Sequence, residues 1–157
     1  MGVIVLVNTL KIIKIIFNMI IAIDFDGTCV THEFPKIGKD IGAIPVLKES
    51  TKKGHKLILF TMRSNRTDNN SIDDKNIQNV TGQFLDDAIN WFKENNIPLY
   101  GIQTNPTQTQ WTTSPKAYAE LYIDDAALGI PLVKIKGSRP YVNWVEIKKL
   151  LIKEGIL

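Results

Sequence analysis

Ile20-Ile21-Ala22-Ile23-Asp24-Phe25-Asp26-Gly27-Thr28 is the stretch whose reading decides the fold of this chain. Four apolar residues run into two carboxylates one residue apart, followed by a glycine and a hydroxyl. A short, wholly apolar run reads as a strand buried on both faces, the habit of parallel sheets, and α/β proteins place ligands at the carboxyl ends of such strands. Two carboxylates at one strand end repel each other and lose hydration. A bound cation offsets that cost, as does chemistry in which one group is ionised and the other protonated.

Beyond this strand the chain alternates strands and helices. Helical character over 43–53 closes at Gly54, with Lys52 and Lys53 in the last turn, where cations suit the helix dipole. Residues 56–60 form a second apolar strand, which runs into Thr61-Met62-Arg63-Ser64-Asn65. Residues 65–77 are rich in Asn and Asp and read as a loop. Phe84, Leu85, Ala88, Ile89, Trp91 and Phe92 recur at helical spacing within 82–95. A third strand follows over 98–102, a polar loop over 104–114, a fourth strand over 119–123 that meets Asp124-Asp125, and a fifth over 131–135. Asn143 and Glu146, three apart, predict a capping box opening a final helix that ends near Gly155. This alternation predicts an α/β fold: a three-layer, Rossmann-like open parallel sheet with helices on both faces.

With 157 residues there is room for one domain with a proper core, and 44% hydrophobic with 22% charged residues is an ordinary globular balance. The net charge of +3 is too mild to call for nucleic acid by itself. Lys134, Lys136, Arg139, Lys148, Lys149 and Lys153 nonetheless gather toward the C-terminus, as a polyanion contact or as a solvated helix face and loop. Cys29 is the only cysteine, which excludes an internal disulfide and suits a reducing, cytoplasmic compartment. As a phosphate-attacking nucleophile it would need an arginine a few residues on, where the chain reads Val30-Thr31-His32-Glu33-Phe34-Pro35; it reads instead as a small buried hydrophobe.

The N-terminal run is apolar, but Asn8, Lys11, Lys14 and Asn18 fall close to one helical stripe, so 3–17 reads as an amphipathic helix and no membrane span is expected. A secretory pattern is not evident. The expectation is a dispensable extension over 1–18, with a weak surface anchor as the second reading, and a single domain over 19–157.

In a parallel sheet the ends of the first, second and fourth strands share an edge. Asp24, Asp26, Thr61, Asp124 and Asp125 therefore meet there although they are distant in the chain. Such a set of oxygen donors suits Mg²⁺, which readily shares its shell with a phosphate. Lys116, in the loop before the fourth strand, offers a point charge to an anion.

Asp24-Phe25-Asp26-Gly27-Thr28, Thr61 at a strand end, Lys116 before a strand and Asp124-Asp125 after it resemble, in order and context, the four motifs of the haloacid dehalogenase superfamily. The resemblance spans residues 20 to 125. It implies a Mg²⁺-dependent phosphomonoester hydrolase in which Asp24 is the nucleophile that becomes an aspartyl-phosphate and Asp26 is the general acid/base. Thr61 and the adjoining Met62 would hold the phosphoryl group, and Lys116 would neutralise charge around it. Asp24, the main-chain carbonyl of Asp26, Asp124 and Asp125 would bind Mg²⁺. On the residues alone, Asp125 reads equally as an N-cap for a helix from Ala126 onward, and Thr61 as the start of a turn.

Arg63, Ser64 and Asn65 follow the second motif directly, as substrate contacts or as a solvated loop. His32 and His55 show no metal-ligand spacing with Cys29, and His55 reads as structural. Superfamily members carry a cap after the first motif or between the second and third. The gaps over 29–60 and 62–115 leave no room for a substantial one. The resemblance is thus to a small, capless member, with an open site that implies a bulky phosphorylated substrate or closure by a partner subunit in a homo-oligomer. Trp111, in the rim over 104–115, reads as a stacking surface for a base or sugar, or as packing. Two further functional readings stand beside the hydrolase: a non-hydrolytic phosphate- and metal-binding regulatory module, and a phosphatase acting on nucleic-acid ends.

Overall fold

The computed structural model describes residues 18–68 and 79–157. In chain order the first elements are β1 (Ile20–Ile23), α1 (Ala43–Lys52), β2 (Lys56–Leu59), β3 (Asn65–Arg66), β4 (Gly82–Gln83) and α2 (Phe84–Glu94). β5 (Gly101–Ile102), a 3-10 helix (Gln108–Gln110), β6 (Leu121–Ile123), β7 (Leu132–Val133), β8 (Tyr141–Val142) and α3 (Trp144–Lys153) complete them.

β1 lies inside a parallel four-stranded sheet of order β5-β2-β1-β6. Its register sets Ile21 beside Leu57 and Leu121, and Ile23 beside Leu59 and Ile123. Residues paired in this way share a face of the pleat, and the next residue along points to the other. Ile21, Ile23, Leu57, Leu59 and Ile123 are buried with Val46 and Leu47 of α1, Ala88, Trp91 and Phe92 of α2, and Trp144, Ile147 and Leu151 of α3. Each large side chain buried here contributes on the order of 1.5–3 kcal/mol.

The opposite face presents Ala22, Ile58 and Tyr122. The segment 103–120 packs against Tyr122 there: the Tyr122 hydroxyl donates to the Ala117 carbonyl and the Lys116 ammonium lies 5.4 Å from the Tyr122 ring centroid. Two buried amides brace this irregular layer. Gln108 Nε2 donates to the carbonyls of Ser114 (2.9 Å) and Lys116 (3.0 Å), and Asn105 Nδ2 donates to that of Tyr118 (3.1 Å). The three-layer, Rossmann-like open parallel sheet expected from the sequence is the architecture found. Among the described residues, the helical content of the second outer layer is one 3-10 turn.

Two local expectations are corrected. Residues 131–135 do not extend the main sheet: β7 pairs antiparallel with β8, as Leu132 with Val142 and Val133 with Tyr141. Asn65 and Arg66 are not loop but pair with Gly82 and Gln83, so α2 begins at Phe84. Among the described residues, only this hairpin and α2 stand between β2 and β5, and no cap domain is built there.

His55 joins the two ends of the described domain: it accepts from the Met19 amide at Nδ1 (3.1 Å), and its Nε2 lies 2.8 Å from the Ile156 carbonyl oxygen. The expectations for 1–18 lie, Asn18 apart, outside the described residues. Among the described residues no helix is long and apolar enough to cross a membrane.

Candidate active site

The ladder carries β1 and β6 past their last residues, since the Asp24 amide donates to the Ile123 carbonyl at 3.0 Å. Asp24 and Asp124 thus leave the sheet side by side. One carboxylate oxygen from each of Asp24, Asp124 and Asp125 can be chosen so that all three lie within 4.8 Å of one another. Burial, reinforced by the charges of Asp124 and Asp125, pushes the Asp24 carboxyl up to about 7, against the opposing pull of the Phe25 amide and the Thr28 hydroxyl. The Asp125 carboxyl is raised too, first by burial and then by Asp124, although His32 and Arg139 favour its charged form.

Thr28 ties these groups together. Its Oγ1 donates to Asp24 Oδ2 (2.8 Å) and accepts from the Asp125 amide (3.0 Å). Its carbonyl accepts from Trp144 Nε1 (2.7 Å), which anchors the loop to α3. Asp124 Oδ1 accepts from the Ala126 amide at 2.8 Å, and the chain turns rather than entering a helix. Asp124, not Asp125, therefore closes the turn. Asp125 faces the cluster and His32, whose Nε2 lies 3.1 Å from Asp125 Oδ2.

Asp26 lies at the same strand end, but both its oxygens are taken. Arg63 Nε donates to Oδ2 at 2.6 Å and Nη2 to Oδ1 at 2.7 Å, the two-pronged geometry of a guanidinium on a carboxylate. Arg63 is 2% exposed. Its remaining donors reach the carbonyls of Pro35 (3.2 Å) and Lys36 (2.7 Å), and its Cζ lies 5.2 Å from the ring centroids of both Phe25 and Phe34. Arg63, expected as a substrate contact or a solvated loop residue, is a buried clamp on Asp26 at the wall of the pocket. Asn65 is also reassigned, because its Oδ1 accepts from the amides of Leu85 (3.0 Å) and Asp86 (3.2 Å) and caps α2 from outside the helix.

Thr61 is fixed by Gln103. The Thr61 amide donates to Gln103 Oε1 (3.0 Å), while Gln103 Nε2 donates to the carbonyls of Thr61 (2.6 Å) and Arg63 (3.1 Å). Gln103 does this from a left-handed backbone, φ +61°, a strained state for a residue with a side chain.

Asp24, Asp26, Thr61, Met62, Arg63, Asp124 and Asp125 line one pocket of about 420 Å³, joined by His32, Phe34, Ala126 and Arg139. Ser64 and Asn65 lie outside it. So does Lys116, which lines a second pocket with Tyr122. The cation missed by the sequence reading is Arg139, carried to the rim by the turn between β7 and β8. Cys29 is fully buried with its Sγ against the Asp24 carbonyl (3.3 Å), and burial holds its thiol well above the usual range, in keeping with an inert core residue.

No protein-family model matches this chain, and no curated protein matches it. A solved structure of a conserved protein coded by a locus of Bacteroides thetaiotaomicron is 32% identical, with a TM-score of 0.62 over 88% of this chain and 93% of that one.

Proposed function

We propose that this chain, which belongs to the same family as that conserved Bacteroides thetaiotaomicron protein, is a Mg²⁺-dependent phosphomonoester hydrolase of the haloacid dehalogenase type. The observation that carries the proposal is the convergence of Asp24, Asp124 and Asp125 within 4.8 Å. The donors are all carboxylate oxygens, which fit a hard divalent cation, and the crowding that raises Asp24 is what such a cation relieves. These three side chains would hold Mg²⁺, which when bound supplies the positive charge that lets a carboxylate approach an anionic phosphoryl group.

Asp24 attacks phosphorus through a carboxylate oxygen. The bond to the leaving oxygen breaks, and that oxygen departs with a proton. Water then attacks the aspartyl-phosphate, loses its proton, and the bond from phosphorus to Asp24 breaks to free phosphate. Thr61 and the backbone at Met62 bound the phosphoryl position, and Arg139 adds positive charge at the mouth. Asp26, at the same strand end, would carry the proton in both halves, and release of one Arg63 contact would free the oxygen that carries it. The lone buried cysteine suits a cytoplasmic setting. The open mouth suits a bulky phosphorylated substrate or completion by a second subunit.

Phosphate release from a panel of phosphomonoesters, with and without Mg²⁺, beside Asp24→Asn and Asp26→Asn, tests this. Turnover should require the metal and fall at least about a thousandfold in Asp24→Asn. A folded protein inactive across the panel, or equally active in Asp24→Asn, overturns the proposal. The grip of Arg63 on Asp26 favours a second reading, a module that binds phosphate and metal without hydrolysis. Efficient turnover lost in Asp24→Asn eliminates it.

A further inference from the structure

We propose that the pocket beside the phosphoryl site binds a nucleobase, so that the phosphomonoester acted on is a nucleotide, free or at a nucleic-acid end; this rests on the hydrolase reading above. The pocket has a volume of about 360 Å³, and Trp111, Ser114, Lys116, Tyr118 and Tyr122 are among the residues that form its wall. Trp111 is 60% exposed and Tyr118 45%, and their rings meet edge to face with centroids 5.5 Å apart. Two large rings held against each other yet open to water form a rigid apolar surface for another ring. The Lys116 ammonium stands over Tyr122 in the same wall, so the pocket pairs a stacking surface with a positive charge, the combination that holds successive bases and their phosphates.

Its place in the fold links it to the phosphoryl site. Tyr122 pairs with Ala22, and Asp124 and Asp24 follow each by two residues on the same face of the sheet. At about 3.3 Å per residue, the backbones of Tyr122 and Asp124 are roughly 7 Å apart along the strand direction, a gap that a ribose spans. A phosphate at Asp24 would thus leave its base toward the pocket that Tyr122 shares with the aromatic pair. A sugar phosphate would occupy the first pocket and leave both rings bare, which is why a base-bearing leaving group is the better fit.

The test compares kcat/KM for adenosine monophosphate and ribose 5-phosphate, which differ only by the base, in the wild type, Trp111→Ala and Tyr118→Ala. The wild type should prefer the nucleotide by on the order of tenfold, the effect of one stacked base, and both variants should bring the ratio close to one. A readout independent of turnover is quenching of Trp111 fluorescence, since Trp91 and Trp144 are buried. Adenosine monophosphate should quench it, ribose phosphate should not, and Trp111→Phe should remove the response while keeping a ring in place.

Equal hydrolysis of the two substrates by the wild type overturns the base pocket and leaves the hydrolase standing. Quenching by the nucleotide without turnover keeps the base pocket and removes the hydrolase. Neither quenching nor turnover removes both. An oligonucleotide bearing a terminal phosphate, run alongside, separates the two sources: tighter binding than the mononucleotide assigns a nucleic-acid end, and equal binding assigns the free nucleotide.

Discussion

Asp24 sits where burial and two neighbouring carboxylates act together against its charged form, while one amide and the Thr28 hydroxyl act for it. The sign of the resulting pH dependence follows. The unfolded carboxyl titrates near 3.8 and the folded one near 7, so the folded state binds the proton more tightly. The metal-free protein is therefore most stable below pH 3.8 as far as this group is concerned, and it loses stability as pH rises toward 7. Each unit is worth about 1.4 kcal/mol, so the loss is on the order of a few kcal/mol. Asp24→Asn should accordingly raise the metal-free Tm by several degrees at pH 8, by about a third as much at pH 5 and by little at pH 3, measured by thermal unfolding. Mg²⁺ should raise the Tm of the wild type at pH 8 far more than that of the variant.

Arg63 is the second residue whose chemistry can be checked alone. Removing one partner of a buried ion pair leaves the other uncompensated, and here two main-chain carbonyls lose their donors as well. Arg63→Ala should cost about 3 kcal/mol in urea unfolding. Arg63→Lys should recover little of it, because an ammonium cannot reproduce the two-pronged geometry.

Among the elements, the loop after β1 depends on Gly27. Its φ of +80° is a left-handed state, and an added Cβ would lie 2.2 Å from His32 Nε2 and 2.8 Å from Asp125 Oδ2. Gly27→Ala should cost about 2 kcal/mol or more in urea unfolding and weaken Mg²⁺ binding by displacing Asp125. α3 starts at Asn143, whose side chain accepts from the Glu146 amide at 3.3 Å. Asn143→Ala should cost about 1 kcal/mol by the same measurement.

These elements differ in how far they could be read beforehand. β1, β2 and β6 were legible because apolar runs ending in polar residues are direct consequences of burial in a parallel sheet. The cap of α3 was legible because its partners are three residues apart. Asn65 was not, since it caps a helix that starts nineteen positions later, and a capping amide and a solvated one have the same composition. Residues 131–135 are apolar enough for the main sheet, but only the turn back to β8 reveals the hairpin.

For the whole molecule, the carboxylate cluster was legible because parallel topology alone brings strand ends to one edge. The cations around it were not. Arg63 owes its burial to Phe34 and to carbonyls at Pro35 and Lys36, on a loop with no periodicity to read. Arg139 owes its place at the rim to the path of a hairpin. Lys116 precedes β6 as the resemblance leads one to expect, and the braced layer over 103–120 sets its ammonium over the Tyr122 ring.

Everything chemical in this account depends on Asp24, Asp124 and Asp125 sharing one divalent ion. Calorimetric titration of the metal-free protein with Mg²⁺ at pH 8, beside Asp24→Asn and Asp124→Asn, examines that directly. One ion per chain, bound at least about tenfold more weakly in each variant, is the predicted result. Absence of Mg²⁺ binding by the folded wild type, or binding unchanged in both variants, would contradict it.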